Sequence, residues 1–286
     1  MVALLALPYL VAAAVSAQGE LLAGRAAAPA AAPPPLDAVV ATCADDPADC
    51  TDDLQQAILR ASWPAGPGAL HIPKLAGARP WISRPLFVNV SNLQITLARG
   101  VVIAAKAHEF HSIFDSLLTI APWSKSDHGG PTYPPNVTNI SLVGYGATLR
   151  MNKLDYQNRS RDPTMENYSK SEWRHGLQLS RTKGVVIAGL TIESTGGDGI
   201  ALGASAAFVE DTSVADCILT HNHRQGMSVG VSTNLLVERT LFLNTSGTQP
   251  QGGVVSATLS ARLSCCCNPS SIIRRSNRDR EGASAK

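Results

Sequence analysis

The segment Gly176-Leu-Gln-Leu179 returns twice along the chain, as Gly199-Ile-Ala-Leu202 and Gly226-Met-Ser-Val229. Each copy is a short apolar run that opens on glycine, which is typical of a brief strand after a tight turn. Because one such strand cannot bury its apolar face alone, the repeat predicts coils that stack on one another.

A second set of short strands is predicted in step with the first. Its members share an apolar run of similar length: Asn92-Leu-Gln-Ile95, Asn139-Ile-Ser-Leu142, Gly184-Val-Val-Ile187, Ala207-Phe-Val-Glu210 and Asn234-Leu-Leu-Val237. The starts of the last three are separated by the same intervals as the three glycines of the first set, and the longer earlier gaps leave room for insertions. We therefore predict an all-β fold, a single-stranded right-handed parallel β-helix over residues 40–252, with neighbouring strands about 4.8 Å apart.

A short amphipathic capping helix is predicted ahead of the coils, over residues 51–59. Thr51 or a following aspartate is expected as its N-cap, because acidic residues precede apolar residues at helical spacing. Cys43 and Cys50 flank an acidic loop and are expected to form a disulfide, whereas Cys217 is expected to be a buried free thiol.

Acidic residues cluster around this loop and the start of the helix. They are Asp45, Asp46, Asp49, Asp52 and Asp53. Calcium is one possible ligand, but the cluster lacks the alternating spacing and central glycine of a dedicated loop. Helix capping and solvation are therefore expected here, and no cofactor is predicted.

The N-terminal stretch, as far as position 39, predicts targeting and a linker. Residues 1–17 form an apolar run ending in Val15-Ser16-Ala17, which suits a signal peptidase and is too short for a stable membrane span. A buried N-terminal helix is the alternative. Residues 18–39, rich in Ala and Pro, predict a semi-rigid linker.

Potential glycosylation sites support a secreted, extracellular protein of the cell wall or matrix. Six Asn-x-Ser/Thr sequons follow the signal-like segment, and together they are more informative than any one alone. They lie at Asn89, Asn136, Asn139, Asn158, Asn167 and Asn244.

The charge balance excludes a dedicated nucleic-acid binder. The 24 basic and 22 acidic residues give a net charge of +2, and a nucleic-acid binder needs a basic face across the domain. Residues 273–286 hold five basic and two acidic residues, so the surplus belongs to the C-terminal stretch. We predict that residues 253–286, with Cys265-Cys266-Cys267, form a disordered basic tail without strands. Since no cap for the last coil is visible, we expect a truncated chain or an alternative reading frame here.

Polar residues precede each strand of the first set, and stacking places them in one column. His175, Asp198 and Gln225 take the same corner on successive coils, with Arg174 and Arg224 one residue earlier in the chain. Ordinary turn residues are the alternative reading, although histidine and arginine are unusual turn formers. The column predicts an active-site ridge without a metal. Its predicted catalytic residues are His175, Asp198 and Arg224, and its predicted substrate-binding residues are Trp173, Arg174, His223 and Gln225.

The polar stretch 151–175 predicts an insertion at one corner of the stack. It contains the aromatic residues Tyr156, Tyr168 and Trp173. Insertions of this kind tend to build a binding face. Both a cleft wall and a glycosylated surface loop are consistent with the pattern.

Residues 40–250 resemble the pectin lyase-like superfamily of parallel β-helix proteins, which includes polygalacturonases, polysaccharide lyases and uronate epimerases. The resemblance rests on residues 52–58, on Gly197-Asp198-Gly199-Ile200 and on Gly226-Met-Ser-Val-Gly230. In polygalacturonases the second motif is Gly-Asp-Asp and the third is Gly-His-Gly-Ile-Ser. Here Gly199 replaces the second aspartate, and Gln225 stands where the histidine belongs. The resemblance implies a polysaccharide partner, and we expect a monomer.

Three functions follow, and the first is lysis or epimerisation of a uronate glycan by removal of the C5 proton. In this scheme His175, or else His223, is the base, and Arg174 and Arg224 bind the substrate carboxylate. Asp198 either orients the imidazole or holds a sugar hydroxyl. Inverting hydrolysis instead needs two carboxyl groups about 6.5–9.5 Å apart. The candidate partners of Asp198 are Glu193, Asp211 and Asp216. The third possibility is a non-catalytic glycan-binding or structural β-helix.

Overall fold

The computed structural model describes residues 35, 37–44, 46–122, 136–157, 168–203, 208–256, 262–264 and 272–274. All of them belong to one unit, residues 31–286. The predicted signal peptide, most of the predicted linker, and Asn158 and Asn167 lie outside the described residues. The limits of the predicted domains therefore stay predictions.

Short strands are the main regular structure of the described chain, which also has two helices and one 3-10 turn. The helices are α1 (Thr51–Ala61) and α2 (Lys153–Tyr156), and the 3-10 turn spans Ala76–Ala78. In chain order the strands are β1 (Val39–Val40), β2 (Ala69–Ile72), β3 (Trp81–Ser83), β4 (Leu86–Val88), β5 (Leu93–Leu97), β6 (Val102–Ala105), β7 (Leu118–Ile120), β8 (Val137–Val143), β9 (Thr148–Arg150), β10 (Leu177–Leu179), β11 (Thr182–Ala188), β12 (Thr191–Glu193), β13 (Ile200–Leu202), β14 (Val209–Ala215), β15 (Ile218–Thr220), β16 (Gln225–Val229), β17 (Ser232–Glu238), β18 (Leu241–Leu243), β19 (Gly252–Ser256), β20 (Arg262–Ser264) and β21 (Ile272–Arg274).

The strands form three parallel sheets. Sheet A has the order β1-β2-β5-β8-β11-β14-β17-β20, sheet B has the order β18-β15-β12-β9-β6-β3, and sheet C has the order β21-β19-β16-β13-β10-β7-β4. From β10 to β18 the chain visits sheets C, A and B in turn, three times over. A mostly β chain arranged as three parallel sheets is compatible with the predicted β-helix.

Stacked apolar side chains fill the space between the sheets. On sheet C one inward row passes through Leu118, Leu177, Ile200, Met227 and Val254, each in register with the next. All five side chains are buried. Burying one such side chain contributes about 1.5–3 kcal/mol, so each added coil extends one continuous core.

The predicted register is confirmed on sheet C and wrong at one strand of sheet A. Val185 pairs with Thr212, and Thr212 pairs with Leu235, so the repeat starts at residue 211 rather than at Ala207. The connection from β13 to β14 is four residues longer than those from β10 to β11 and from β16 to β17. The apolar pair Phe208-Val209 lies where β14 begins and resembles Val185-Val186, whose true partners, Thr212 and Ser213, come four residues later.

A row of left-handed residues crosses the strands of sheet A. Its members are Asn92 (φ 59°), Asn139 (φ 57°), Gly184 (φ 68°), Asp211 (φ 50°) and Asn234 (φ 52°). Glycine, asparagine and aspartate adopt this conformation most easily, which accounts for their recurrence in the repeat. The Asn139 amide donates to Asn92 Oδ1 at 3.0 Å, and the Asn234 amide donates to Asp211 Oδ1 at 2.8 Å. The side chains thus bond from coil to coil.

Helix α1 packs against β1, β2 and β4, through its buried apolar face. Its N-cap residue is Cys50 rather than Thr51 or an aspartate, and the Cys50 side chain makes no capping hydrogen bond. Asp49 performs that task, because its Oδ1 accepts the Thr51 N–H at 3.0 Å. The predicted Cys43–Cys50 disulfide is confirmed, and Cys217 is, as predicted, a buried thiol outside the disulfide.

Strands continue beyond residue 252, so the expectation of a strand-free tail is wrong at three places. Strand β19 pairs with β16, β20 with β17, and β21 with β19. Gly253 follows Gly226 at the same interval that separates Gly226 from Gly199, and it opens the run Val254-Val255. Gly253 thus begins a further copy of the repeat, which the predicted tail does not include. The three tail cysteines lie outside the described residues.

Substitution of Gly199 by alanine is expected to destabilise the fold by about 1–3 kcal/mol, as overpacking does. An added Cβ would lie 2.6 Å from the Gly226 carbonyl oxygen, where the backbone has little freedom to move. The free energy of unfolding in urea measures the loss. Gly77→Asn is the control, since no atom lies within 4 Å of its Cβ position and asparagine tolerates the φ of 67° there. Equal stability of wild type and Gly199→Ala would contradict the packing argument.

Candidate functional site

The predicted polar column is present at one corner of the stack. The N–H of Gly176 donates to the Asp198 carbonyl, and the N–H of Gly199 donates to the Gln225 carbonyl, both at 3.0 Å. These bonds place His175, Asp198 and Gln225 on successive coils. All three side chains are buried. The structure therefore brings these residues together, while their catalytic roles stay predictions.

Two side chains hold the buried Asp198 carboxylate. Arg224 donates to it through Nε to Oδ1 at 2.8 Å and through Nη2 to Oδ2 at 2.5 Å. The Ser228 hydroxyl donates to Oδ2 at 2.7 Å. A carboxylate without solvent needs such partners, because an unpaired buried charge is strongly unfavourable. Asp198 is thus a fixed anion with both oxygens engaged.

Arg224 links Asp198 to a second carboxylate, that of Glu172. Its Nη1 donates to Glu172 Oε1 at 3.2 Å. Burial favours the neutral guanidinium, but the hydrogen bond and charge of Asp198, together with the charge of Glu172, raise the pKa of Arg224. The Glu172 side chain is 30% exposed and that of Asp198 is fully buried. Of the two carboxylates, Glu172 is the one that solvent or a ligand can reach.

His175 is a neutral imidazole. Its Nδ1 accepts the backbone N–H of Asp198 at 3.0 Å, which assigns the ring hydrogen to Nε2. Burial lowers the pKa of His175 to about 4, with the charge of Asp198 opposing the shift and that of Arg224 adding to it. In this tautomer Nδ1 is occupied and Nε2 is a donor, so neither nitrogen is placed to accept a proton from a ligand.

An open cleft of about 600 Å³ lies over sheet C beside this column. Its floor follows one in-register row, Gln178, Ala201, Ser228 and Val255, whose neighbours along each strand point into the core. The remaining lining residues come from the turns, the insertion and the strand edges: Phe114, Glu172, Trp173, His175, Leu202, Arg224, Gln225, Val229, Gly230, Gln249 and Pro250. The Asp198–Arg224 pair thus meets the cleft through Arg224.

Two stacked aromatic rings form part of the cleft lining. The rings of Phe114 and Trp173 lie 5.3 Å apart, with 7° between their planes. Phe114 is 53% exposed and Trp173 is 40% exposed, which is unusual for such large apolar groups. Flat apolar faces beside convergent polar groups are typical of sites for small polar molecules with an apolar face.

Arg174 is buried and does not face the cleft, contrary to the prediction that it binds substrate. Its guanidinium donates to three carbonyls, those of Phe110, Ser169 and His111, at 2.9, 3.1 and 3.3 Å. It also lies 5.6 Å from the centre of the Tyr156 ring and 5.2 Å from that of Tyr168. Burial lowers its pKa. Arg174 is a structural cation that supports the segment carrying Glu172 and Trp173.

The other predicted binding residues are divided between two cavities. Gln225 lines the cleft, and its buried Oε1 has no hydrogen-bond partner among the described residues. His223 is absent from the cleft lining and lines a separate cavity of about 260 Å³. Its ring nitrogens contact the Gln157 amide and, at 2.8 Å, the Thr248 hydroxyl. The structure therefore separates His223 from the Asp198–Arg224 pair.

The described parts of the insertion form both core and cleft. Tyr156 and Tyr168 are buried and meet edge to face, with 5.2 Å between their ring centres. Trp173 is the aromatic residue of the insertion that reaches the cleft. The prediction of a cleft wall is therefore met by residues 172 and 173, and residues 158–167 lie outside the described part.

Sequence reasoning missed several cleft residues, chiefly Glu172, Gln178 and Ser228. Gln178 and Ser228 are the middle residues of the repeated Gly-x-x-Leu and Gly-x-x-Val segments, so strand alternation was sufficient to place them on the outer face. No repeat pattern marks Glu172 or Phe114. They belong to longer connections, and only tertiary contacts bring them to the cleft.

No group of three or more His, Cys, Asp or Glu residues that could hold a metal ion occurs in the described ranges. In the acidic cluster, Asp49 pairs with Arg84 at 3.0 Å and Lys106 at 2.9 Å. Burial opposes its ionisation, but hydrogen bonds from Thr51 and Lys106 lower its pKa to about 2. Asp49 therefore serves the helix and its neighbours, as capping predicts. The described helices are too short or too polar to cross a bilayer.

Four of the six predicted glycosylation sites fall in the described ranges. Asn89, Asn136, Asn139 and Asn244 are all exposed. Two of these amides have partners, because the Asn139 amide donates to Asn92 Oδ1 and the Asn244 amide lies 3.4 Å from His221 Nε2. Modification at all these positions stays a prediction.

Comparison with known proteins gives a fold relationship. The chain matches no protein-family model and no curated protein sequence. Among solved structures it is similar to a protein described as a "putative glycosyl hydrolase" from Parabacteroides merdae, with a TM-score of 0.53 and 13% sequence identity. The match covers 80% of this chain and 92% of that one. At this identity, the likeness shows a shared fold.

Loss of stability between pH 6.5 and pH 4.5 is expected to be steeper in wild type than in His175→Gln. The unfolded state binds a proton on His175 near pH 6.5, whereas the native state resists protonation until about pH 4. The part of the unfolding free energy that depends on neutral His175 is therefore fully present above pH 6.5. It falls as the pH falls, and about 2 kcal/mol is lost between pH 6.5 and pH 4.5. Urea unfolding at several pH values measures it, with His221→Gln as the control outside the column. Parallel pH profiles for wild type and His175→Gln would refute it.

Proposed function

We propose that this protein is glycan-active and binds a saccharide chain in the cleft over sheet C. The observation that carries this proposal is the exposed Phe114–Trp173 stack beside a floor of hydrogen-bonding side chains. Pyranose rings have apolar C–H faces and polar hydroxyl edges, so they suit an aromatic face flanked by groups such as Gln178 and Ser228. The open cleft extends over several coils, which suits a chain better than a single sugar.

The fold relationship supports the same proposal. We propose that the three parallel sheets form a single-stranded right-handed β-helix of the pectin lyase-like kind. The similar Parabacteroides structure is described as a glycosyl hydrolase, and long clefts along stacked coils suit extended ligands. The Cys43–Cys50 disulfide and the exposed sequons support a secreted protein.

Hydrolysis is the second candidate function, and Glu172 is the observation that favours it. Glu172 is a partly exposed carboxylate in the cleft, and Arg224 connects it to Asp198. Inverting hydrolysis needs two carboxyl groups with different roles, one to protonate the leaving oxygen and one to activate water. Glu172 replaces Glu193, Asp211 and Asp216 as the proposed carboxyl group at the substrate, and the buried Asp198 acts on it through Arg224. Of those three residues, none lines the cleft.

Removal of a C5 proton from a uronate has less support from the geometry. It needs a base and a cation for the substrate carboxylate. Arg174 is engaged with backbone carbonyls, and the Nδ1 of His175 already accepts a hydrogen bond. Arg224 remains as the cation near the cleft, and the alternative base His223 lines the separate cavity, so this reaction stays a prediction.

Assays of absorbance, reducing ends and proton exchange separate the reactions. Purified protein is incubated with pectin, alginate, xylan and mannan, and absorbance at 235 nm and new reducing ends are followed. Reducing ends without absorbance indicate hydrolysis, and absorbance indicates a lyase. Proton exchange at C5 in deuterated water indicates an epimerase. Binding without any product indicates a non-catalytic glycan-binding protein.

Replacement of Trp173 by alanine is expected to weaken glycan binding about tenfold, since a lost aromatic contact is worth about 1–1.5 kcal/mol. Phe114→Ala should act similarly, and the two effects should not add, because the rings support each other. Affinity electrophoresis in gels containing each polysaccharide measures the change. Trp63→Ala is the matched control, since Trp63 is 61% exposed and does not line the cleft. If Trp63→Ala alone lost glycan binding, the binding site would lie at Trp63 and the proposed cleft would be wrong.

A further inference from the structure

We propose that the cleft takes a saccharide without acidic groups, a chain of neutral or amino sugars, and discriminates against uronates. This inference rests on the proposed glycan-binding function and narrows its ligand. It arises from the balance of charges around Arg224.

The charged groups near the cleft are few. Of the described residues that line it, Glu172 and Arg224 are the ones with a full charge. Directly beneath them lies Asp198, fully buried and 2.5 Å from Arg224 Nη2. One cation therefore faces two anions, and this cluster has a net charge of −1.

The arginine is already committed to carboxylates of the protein. Its Nε–Nη2 edge, a fork that suits a bidentate carboxylate, holds Asp198, and its Nη1 donates to Glu172. A uronate carboxylate at Arg224 would have to displace Glu172 or approach both anions. Asp198 is held further by the Ser228 hydroxyl, so it cannot swing away without leaving a buried acceptor unpaired.

His175 does not supply the missing positive charge. Its Nδ1 accepts the Asp198 N–H, so the contact holds the neutral form of the ring. The Nε2–H is a donor without charge, which suits a hydroxyl or acetamido oxygen.

Like charges in a partly desolvated site repel more strongly than in water. At a given separation, two unit charges repel about four times more strongly at an effective dielectric constant of about 20 than in water. Neutral sugars avoid this repulsion, and amino sugars gain from the same field. The charge of this cluster thus selects among saccharides by their charge rather than by the shape of the sugar ring.

The test compares ligands that differ in charge alone. Isothermal titration calorimetry measures binding of hexagalacturonate and of its fully methyl-esterified form, with hexameric chitosan and its N-acetylated form as a second pair. We expect the methyl ester to bind at least threefold more tightly than the free acid. The difference should shrink as salt rises from 50 to 500 mM, because salt screens the repulsion.

Glu172→Gln supplies the decisive variant, because it removes one anion at nearly constant shape. It should tighten binding of the free acid at least threefold and leave the methyl ester within twofold. Glu193→Gln is the matched control, since Glu193 pairs with Arg150 on sheet B and changes the total charge equally. Thermal melting checks that both variants fold.

The outcomes separate this inference from the function on which it rests. If the free acid binds as tightly as its ester, or if Glu172→Gln and Glu193→Gln act alike, the charge argument is overturned and the glycan-binding proposal stands. If none of the four oligosaccharides nor the xylan and mannan gels retain the protein, the glycan-binding proposal fails and this inference fails with it.

Discussion

Close approach of successive coils at one glycine column is the constraint on which fold and site both depend. A Cβ on Gly176, Gly199 or Gly226 would lie within 3 Å of a carbonyl oxygen in the next coil. Because these positions admit no side chain, the strands of sheet C can follow each other in strict register. The residue before each glycine is then fixed in space as well. His175, Asp198 and Gln225 owe their alignment to that spacing, and the hydrogen bond from the Asp198 N–H to His175 Nδ1 adds to it.

The charged groups at the base of the site are paired with one another, and the cleft above them is open to solvent. Asp198, Arg224 and Ser228 satisfy one another, and His175 contributes a neutral ring to the same corner. Such a network costs little to keep buried, since each charge has a partner, and it holds the floor rigid. Reactivity and recognition therefore fall to the groups at its rim, chiefly Glu172 and the two aromatic rings.

Sequence reasoning recovered the features that repeat and missed those that depend on long connections. The Gly-x-x-Leu segments have a period, so the register of sheet C and the column before it followed directly. The register predicted for β14 is wrong by four residues, because a four-residue extension precedes this strand and Phe208-Val209 resembles Val185-Val186. Arg174 was assigned to the cleft from its place in the chain. Its true direction is set by the carbonyls of Phe110 and His111, far earlier in the chain, which no local pattern reveals.

The buried guanidinium of Arg174 holds the insertion, whereas the stacked strands hold the core. It ties the segment at Ser169 to the one at Phe110 and His111, so the part of the cleft that carries Glu172 and Trp173 has an anchor in addition to the backbone bridge between Arg174 and Gly196. A change in the length or composition of the insertion beyond that anchor leaves the register of the sheets untouched. Ligand preference in such a scaffold can diverge quickly while the stacked core stays the same, since the two are secured by different bonds.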